Sequence, residues 1–378
     1  MDIKINNVYF NKVVSEVSRA VSFKTHLPIL TGIKITATKD GLKVIGSNAD
    51  VSIETNIPNI VNGEEVLDVF KIGSVVISAK YLSHIVKKLP NDIHMHVNEN
   101  NVITIESGDI KTNLNGFNPA DYPNLPDFDD NKAICIAGNE VVEMIKQTVF
   151  AVSKSETRPV LTGVHMSFQE DRLTLVATNS HRLALRTHRK SSNNYSACIV
   201  PSSALVEVTK LFAAELEMIN IFISDNYIVF KSNSTSLYSR LIEGNYPDIS
   251  SLLPRVFKTT ITVDNKQSLN GIDRACLFAN EWRNNNVHLE ISGGNKVKIS
   301  SNSTEIGKIE ETQNIKFIEG ESELSISLDG KFATEALKAI KEDEISIRFS
   351  GAMGPILIQP IGNDAHLHLI SPVRACKT

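Results

Sequence analysis

One sequence pattern recurs along the chain, and this repetition constrains the fold more than any other feature. Residues 20–32 read AVSFKTHLPILTG and residues 151–163 read AVSKSETRPVLTG, with Ala, Val, Ser, Pro, Leu, Thr and Gly in register. The register persists without a gap, because Ser-Asn at 47–48 matches Thr-Asn at 178–179. A repeat of this length predicts a whole domain, since solenoid units have only about 20–50 residues.

A third, fainter copy occupies the last part of the chain. It begins with Ala-Cys-Leu at 275–277 and continues with Ser-Asn-Ser at 301–303, after a slip of one residue. Segments dense in Pro, Gly and Asn close the first two copies, at 118–126 and 244–254, and such segments interrupt regular structure. We therefore predict three similar domains, which span residues 1–127, 128–254 and 255–378.

Each repeat contains two segments with the apolar spacing of an amphipathic helix. These six segments lie within residues 13–21, 82–89, 141–152, 205–212, 269–279 and 332–340. The residues expected to cap them are Ser78, Asn139, Ser202, Asp264 and Asp329. Much of the remaining sequence alternates between apolar and polar residues, as at 93–97 and 219–223, which predicts antiparallel strands. Each domain is therefore predicted to be α+β, with two helices packed on antiparallel sheets.

The composition is typical of a globular protein and gives no indication of a metal or cofactor. The 378 residues are 42% hydrophobic and 22% charged, and no apolar run is long enough to span a membrane. The first residues lack the layout of a signal peptide, so we expect a cytoplasmic location. Cys135, Cys198, Cys276 and Cys376 are far apart and form no CxxC pair, which favours reduced thiols over a zinc site.

Positive charge is concentrated on the predicted helices, although the whole chain carries a net charge of −4. The helical segments carry about +5 and the remainder about −9. The cations are Lys12, Arg19, Lys80, Lys87, Lys88, Lys146, Lys210, Lys266, Arg274, Lys331 and Lys338. Lysines decorate any solvated helix face, but a basic surface shared by several helices would contact phosphates without reading base sequence. Few aromatic residues accompany these cations, which argues against a platform for single strands.

Several long motifs, in the same order, resemble the β subunit of bacterial DNA polymerase III, the bacterial sliding clamp. They are LPILTG and RPVLTG, ATNSHRL at 177–183, the NYP segment at 245–247 and SPVR at 371–374. The resemblance covers the whole chain. It implies a non-enzymatic, head-to-tail homodimer whose six domains form a ring around double-stranded DNA, with the helices lining the hole. Twelve helices about 10 Å apart would enclose a hole of roughly 27 Å, wide enough for a hydrated duplex.

The resemblance also implies three sets of site residues. Contacts with DNA, without sequence specificity, would come from Lys12, Lys24, Lys80, Lys87, Lys88, Lys146, Lys210, Lys266, Arg274 and Lys338. The dimer would close through Leu277 and Phe278, which would meet a partner edge strand around Leu114, with acidic rim residues Glu305, Glu310 and Glu311. Short linear peptides of the replicative polymerase, the clamp loader and repair proteins would bind a cleft formed by Arg158, Leu161, Thr178, Ser180, His181, Arg182, Leu183, Pro247, Leu252, Leu369, Ile370, Pro372, Val373 and Arg374. Phe332 and Pro355 are weaker candidates at the rim of this cleft.

The sequence departs from the family pattern at the cleft. Ser371 is polar where an apolar wall is expected, and four residues follow Arg374. Both differences bear on how peptides would bind. Residues 280–286 also differ from the corresponding part of the second repeat, and nothing in the sequence explains this difference.

Two other functions remain open at the level of sequence. The first is a β-rich enzyme that uses Ser180 and His181, although no nucleophile elbow, P-loop or dinucleotide-binding motif accompanies them. The second is a triplicated scaffold that binds only protein. Retention on circular DNA at high salt, followed by release when the circle is cut, would distinguish a clamp from that scaffold.

Overall fold

The computed structural model describes residues 1–129, 133–189, 196–213, 217–279, 286–293 and 295–373. These residues form six α-helices, two for each sequence repeat, as the apolar spacing predicts. The helices are α1 (Asn7–Val17), α2 (Ala79–Val86), α3 (Gly138–Lys146), α4 (Ser202–Leu211), α5 (Asn265–Cys276) and α6 (Gly330–Ala339).

The strands follow the alternating segments of the sequence. The first repeat contains β1 (Asp2–Ile5), β2 (Gly32–Thr38), β3 (Gly41–Ser47), β4 (Val51–Pro58), β5 (Ile60–Val61), β6 (Glu64–Glu65), β7 (Leu67–Lys71), β8 (Gly73–Ser78), β9 (Ile93–Val97), β10 (Val102–Ser107) and β11 (Ile110–Asn115). The second contains β12 (Ile134–Ala137), β13 (Gly163–Phe168), β14 (Arg172–Thr178), β15 (Arg182–Arg189), β16 (Ser196–Pro201), β17 (Met218–Ile223), β18 (Tyr227–Lys231) and β19 (Thr235–Arg240). The third contains β20 (Thr259–Asp264), β21 (Asn286–Ile291), β22 (Lys296–Ser303), β23 (Gly307–Asn314), β24 (Phe317–Gly320), β25 (Leu324–Asp329), β26 (Glu344–Phe349), β27 (Ile356–Pro360) and β28 (His366–Ile370).

Side-chain caps explain where several helices begin. The carboxylate of Asp264 accepts a hydrogen bond from the Gln267 N–H at 2.8 Å, and the carboxylate of Asp329 caps α6 through the Lys331 N–H at 2.9 Å. Both cap predictions are confirmed. Ser78 stands at the N-cap of α2, but its side chain makes no capping hydrogen bond.

The other two predicted caps are wrong, Asn139 by two residues and Ser202 by one. Helix α3 already begins at Gly138 and α4 at Ser202, so that Asn139 and Ser202 lie inside the first turn. The reason is that the residues directly before these helices, Ala137 and Pro201, have no side-chain oxygen to accept a hydrogen bond from the first turn, whereas Asp264 and Asp329 do.

The chain forms two compact units, each of which contains a long antiparallel sheet. The first unit, Met1–Asn139 with Lys210–Leu241, contains sheets in the orders β11-β10-β9-β1-β7 and β12-β17-β18-β19-β4-β3-β2-β8. The second unit, Glu140–Thr209 with Ile242–Thr378, contains the orders β16-β13-β14-β15-β28-β27-β26-β20-β24 and β23-β22-β21-β25. The middle repeat therefore contributes strands to both units. The boundaries near 127 and 254 stay a prediction.

Each long sheet continues from one sequence repeat into the next. In the first unit, β19 of the second repeat pairs antiparallel with β4 of the first, with Leu237 opposite Ile53. In the second unit, β15 of the second repeat pairs antiparallel with β28 of the third, with Leu183 opposite Leu369. The predicted α+β architecture of helices on antiparallel sheets is confirmed, and α5, for example, packs on α6 and on strands β21, β22 and β23.

Candidate functional site

A tightly bonded turn joins β14 to β15 and forms the first part of the predicted peptide cleft. The Thr178 hydroxyl donates to the Arg182 carbonyl at 2.6 Å, and the side-chain oxygen of Asn179 accepts the N–H groups of His181 and Arg182, both at 3.0 Å. Ser180 adopts a left-handed conformation with φ of 75°. A non-glycine residue holds this conformation only where surrounding bonds impose it. The turn leaves Ser180 and His181 exposed to solvent.

An apolar cluster of the second unit lies beneath this turn. Leu183 of β15 faces Leu369 of β28, and both are buried together with Val176, Leu357 and Leu367. Tyr246, Ile249 and Leu253 of the following loop pack on this cluster. The sequence prediction missed these three residues, although the Asn-Tyr-Pro segment marked the loop that carries them.

The loop at 244–253 is held close to the other parts of the cleft. The Tyr246 hydroxyl accepts the Thr178 N–H at 3.1 Å, and burial raises the pKa of Tyr246, so that this group stays protonated. Gly244 has φ of 127°, and a Cβ at this position would lie 2.8 Å from the Val160 side chain. Pro247 and Leu252 are exposed on the same loop. The loop thus presents apolar surface beside the turn that contains Leu161.

The segment after β28 lies along the same turn. The Ser371 N–H donates to the His181 carbonyl at 2.8 Å, and the Val373 N–H donates to the Ser327 carbonyl at 2.9 Å. Pro372 and Val373 are half-buried there. The two distant segments that the sequence singled out therefore meet within the second unit. Arg374 lies outside the described residues.

Arg182, which was predicted to contact peptides, is buried, and its role in peptide binding stays a prediction. Its side chain is only 7% exposed. The guanidinium forms an ion pair with Glu335 of α6, donates to the Phe150 carbonyl and lies between the rings of Phe150 and Phe332, 5.3 and 4.4 Å from their centroids. Because successive residues of a strand face opposite sides, Arg182 turns inward while Leu183 faces the apolar cluster.

The same alternation separates Ile370, another predicted cleft residue, from its neighbour Leu369. Leu369 belongs to the cluster beneath the turn, whereas Ile370 is buried in the core of the third repeat beside Ile356 and Ile358. Leu161 is also buried, whereas Arg158, directly before the turn that contains Leu161, is exposed. Of the residues predicted to line the cleft, Arg158, Ser180, His181, Pro247 and Leu252 are exposed, and Pro372 and Val373 are half-buried.

Two histidines of β28 are buried on the face opposite the cluster. Burial lowers the pKa of His366 to about 4, an effect that Arg186 reinforces and that Glu342 and Glu143 oppose. Burial also lowers the pKa of His368, whose ring lies 4.7 Å from that of His366. No described residue forms a hydrogen bond with any of the four ring nitrogens. Both rings are therefore neutral at physiological pH.

The residues predicted to close a dimer lie at sheet edges and on exposed surface. Leu277 follows α5 and is 70% exposed, while Phe278 is half-buried. Leu114 lies on β11, the edge strand of a five-stranded sheet, and lines a cleft of about 430 Å³ with Ile77, Tyr81 and Phe117.

Two of the three predicted acidic rim residues already have partners within the chain. Glu310 forms an ion pair with Lys308 at 2.7 Å, and Glu311 forms one with Arg274 at 2.7 Å. Glu305 is exposed. Glu310 and Glu311 thus each pair with a cation of their own chain, and the contacts of all three residues with a second copy stay a prediction.

Family models of the DNA polymerase III beta subunit match nearly the whole chain. The N-terminal domain matches residues 1–126, the central domain residues 135–248 and the C-terminal domain residues 250–374. The beta sliding clamp of Bacillus subtilis is 42% identical over 365 residues, which are 96% of both chains. That of Staphylococcus aureus is 40% identical over 376 residues, 99% of both chains.

Solved structures agree with these matches. A crystal structure of the DNA polymerase sliding clamp from Bacillus subtilis superposes with a TM-score of 0.97 at 41% identity, over 100% of both chains. The DNA polymerase III beta chain of Streptococcus pneumoniae gives a TM-score of 0.94 at 33% identity, over 99% of this chain and 100% of that one. The chain belongs to the DNA polymerase III beta subunit family. Its identification from sequence motifs as a DNA sliding clamp is thereby confirmed.

The cations expected to contact DNA in this clamp family member are all exposed. They are Lys12, Lys24, Lys80, Lys87, Lys88, Lys146, Lys210, Lys266, Arg274 and Lys338. Arg274 differs from a simple solvated cation, because two of its nitrogens bind the carboxylate of Glu311. Lys338 lies 3.9 Å from Asp273, a separation that leaves it largely solvated.

The geometry around Ser180 and His181 is that of a structural turn. Their backbone N–H groups donate to Thr178 and Asn179, and the His181 carbonyl accepts the Ser371 N–H. Membership of the sliding-clamp family agrees with a non-catalytic processivity factor. Within the described ranges, no group of His, Cys, Asp or Glu side chains is arranged to hold a metal ion. No helix in the described part of the chain has the length and apolar character required to cross a membrane.

Proposed function

We propose that two copies of this chain close head to tail into a ring that encircles duplex DNA and tethers the replicative polymerase to it. The observation that carries the proposal is a pairing between strands of neighbouring repeats. This pairing occurs twice within the chain, and one strand of each kind is left available to pair with a second copy. Contacts with the clamp loader and repair proteins belong to the same proposal, since all of them would use one peptide cleft.

The two pairings join equivalent strands. β4, β15 and β23 are each eight residues long and follow the matching segments at 47–48, 178–179 and 301–303. β11, β19 and β28 are each the last strand of their repeat. β4 pairs with β19 and β15 pairs with β28, so the remaining strands of these two kinds are β23 and β11. Both are edge strands, and an exposed edge is a template for pairing with another chain.

An apolar contact would stabilise the pairing of β23 with β11 of a second copy. Leu277 is exposed, beyond the buried face of α5, and the cleft beside Leu114 is lined by the exposed rings of Tyr81 and Phe117. An exposed apolar side chain in one copy and an open apolar cleft in the other form a complementary pair. Since β23 and β11 belong to different ends of the chain, the contact would be heterologous and would close into a ring when the rotation permits.

Sedimentation tests the ring directly. The wild-type chain should sediment as a dimer of twice 41.7 kDa. Leu277→Asp with Phe278→Ala should yield a folded monomer, because a charge at the apolar contact is desolvated on association. Met353→Ala, which changes another exposed apolar residue, serves as the control and should remain dimeric. An intact dimer of the double variant would refute the assignment of this contact.

The exposed lysines would hold DNA loosely and without sequence preference. Changing Lys24, Lys80, Lys87 and Lys88 together to Gln should slow loading and reduce the salt slope by up to about 3.6, at roughly 0.9 for each phosphate that is no longer neutralised. Lys39 and Lys71, which are exposed on or beside strands, provide the control. An unchanged slope in the fourfold variant would place the DNA surface elsewhere.

Topological retention separates a ring from an electrostatic binder. Clamps loaded on nicked circular DNA should remain bound at high salt and leave when the circle is linearised. A scaffold that binds only protein would not be retained on either form, and a simple basic protein would leave as the salt concentration rises.

The cleft would bind short linear peptides that carry one or two large apolar side chains. Leu252, Pro247 and Val373 supply apolar surface, and His181 and Arg158 supply polar groups at its rim. The small area of such a contact favours micromolar affinity, on the order of 8 kcal/mol. Isothermal titration with a polymerase tail peptide measures it, and binding of unrelated apolar peptides with equal affinity would contradict a specific site.

A further inference from the structure

We propose that Arg274 is a positioning residue for ring closure, which braces the edge strand β23 against α5, and not a DNA phosphate contact. The inference rests on the proposed ring. It assigns to Arg274 a role different from that of the neighbouring cation Lys266 on the same helix.

The brace is a bidentate ion pair. Arg274 Nε donates to Glu311 Oε2 at 2.8 Å and Nη2 donates to Oε1 at 2.7 Å. Such a fork uses the planar geometry of the guanidinium, which a lysine lacks. The hydrogen bond that Arg274 donates to Glu311 raises the pKa of Arg274, and the hydrogen bonds that Glu311 accepts from Arg274 and Gln313 lower the pKa of Glu311. Both groups are therefore charged at neutral pH.

A second contact extends the brace along the helix. Gln313 Nε2 donates to Glu311 Oε1 at 2.7 Å and to the Gln267 carbonyl in the first turn of α5 at 2.8 Å. Gly271 makes room for it, because a Cβ at that position would lie 2.3 Å from Gln313 Nε2. Residues 267, 271 and 274 have the spacing of one helix face, and 311 and 313 that of one strand face. The two faces are thus locked together.

This arrangement fixes both parts of the proposed closing surface. β23 is the edge strand that would pair with β11 of the second copy. The apolar residue Leu277 lies three residues after Arg274, and the Leu277 N–H donates to the Arg274 carbonyl at 3.2 Å. Holding the edge strand and this loop in one geometry before association reduces the entropy lost on binding.

The same pairing makes Arg274 a poor phosphate ligand. Glu311 already satisfies its charge and two of its donors, and a phosphate would have to replace a fixed carboxylate at short range. A nearby carboxylate also repels phosphate. Lys266, by contrast, is exposed in the first turn of α5. The two cations of this helix should therefore respond to different measurements.

The test compares Arg274→Ala and Lys266→Ala in the full chain. Sedimentation on dilution gives the dimer dissociation constant, and filter binding to duplex DNA over a range of salt gives the salt slope. Arg274→Ala should raise the dissociation constant about five- to tenfold and leave the slope unchanged. Lys266→Ala should leave the dimer unchanged and reduce the slope by about 0.9. Arg274→Ala with a wild-type dissociation constant, or with a reduced slope, overturns the proposal.

Further variants separate positioning from a general structural effect. Arg274→Lys should give an intermediate dissociation constant, and the exchange Arg274→Glu with Glu311→Arg should restore most of the dimer affinity. Gly271→Ala should weaken the dimer without changing any charge, because it displaces Gln313. An exchange variant as weak as Arg274→Ala would contradict a direct pairing role.

The outcome also separates this proposal from the ring itself. A wild-type chain that remains monomeric refutes the proposed ring. A wild-type dimer that the Leu277 and Phe278 changes dissociate, but that Arg274→Ala leaves intact, refutes the brace alone.

Discussion

Arg182→Ala removes a buried cation that links two sequence repeats within the second unit. The guanidinium of Arg182 belongs to β15 and pairs with Glu335 of α6, and it donates to the carbonyl of Phe150. The substitution leaves the Glu335 carboxylate and the Phe150 carbonyl without this partner. It also removes the cation that lies between the rings of Phe150 and Phe332.

The expected loss in the free energy of unfolding is about 3 kcal/mol. Removing one member of a buried ion pair costs about 3–5 kcal/mol. Glu335 is 32% exposed, so water solvates its carboxylate after the change, and we take about 2 kcal/mol for the pair. The contact with the two aromatic rings adds about 1 kcal/mol. Arg182→Lys should lose about half as much, because an ammonium keeps the charge without the fork.

Urea unfolding followed by circular dichroism measures this loss. A double-mutant cycle with Glu335→Ala should give a coupling energy of about 2 kcal/mol between the two side chains.

Peptide titration adds a second test, with Arg158→Ala as the control. Arg158 is exposed, so its loss should weaken peptide binding without changing stability. The reasoning fails if Arg182→Ala unfolds like the wild type and weakens peptide binding as Arg158→Ala does, since Arg182 would then reach the ligand directly.

Three further changes test separate features of the structure. Burial lowers the pKa of His366 to about 4, so the stability that comes from burying the neutral ring is complete above pH 6.5. About 3 kcal/mol of the free energy of unfolding is lost as the pH falls towards 4. Urea unfolding at several pH values measures this loss, and His366→Gln should remove it. Gly46→Ala should lower the urea midpoint by an amount equivalent to about 3 kcal/mol, because its Cβ would lie 2.1 Å from the Val17 carbonyl oxygen. Deletion of Val373 through Thr378 should abolish peptide binding in isothermal titration while the dimer sediments unchanged.

Local periodicity was sufficient to predict most of the secondary structure. The apolar stripes predicted six helices because a helix places every third or fourth residue on one face. The alternating segments predicted strands because a strand places every second residue on one face. Asp264 and Asp329 were recognisable as caps because capping uses neighbouring residues. The long motifs, such as ATNSHRL at 177–183, were sufficient for the family.

The direction of individual side chains was less predictable. Arg182 and Leu183 are adjacent in a motif that implied a peptide cleft, yet one side chain is buried against Glu335 and the other lies beneath the turn. Alternation along a strand shows that neighbouring side chains face opposite sides of the sheet, but it does not show which side forms the cleft. That depends on which element packs on each face.

The sequence by itself determined the threefold repeat, the helix and strand segments and the family, since each of these is written in residues that lie near one another in the chain. Only the tertiary structure decided that Arg274 binds Glu311, that Tyr246 bonds to Thr178 and that β15 pairs with β28. These contacts join residues far apart in the sequence. The physical reason is that a charge or a hydroxyl selects its partner by proximity after packing, and no local pattern encodes that proximity.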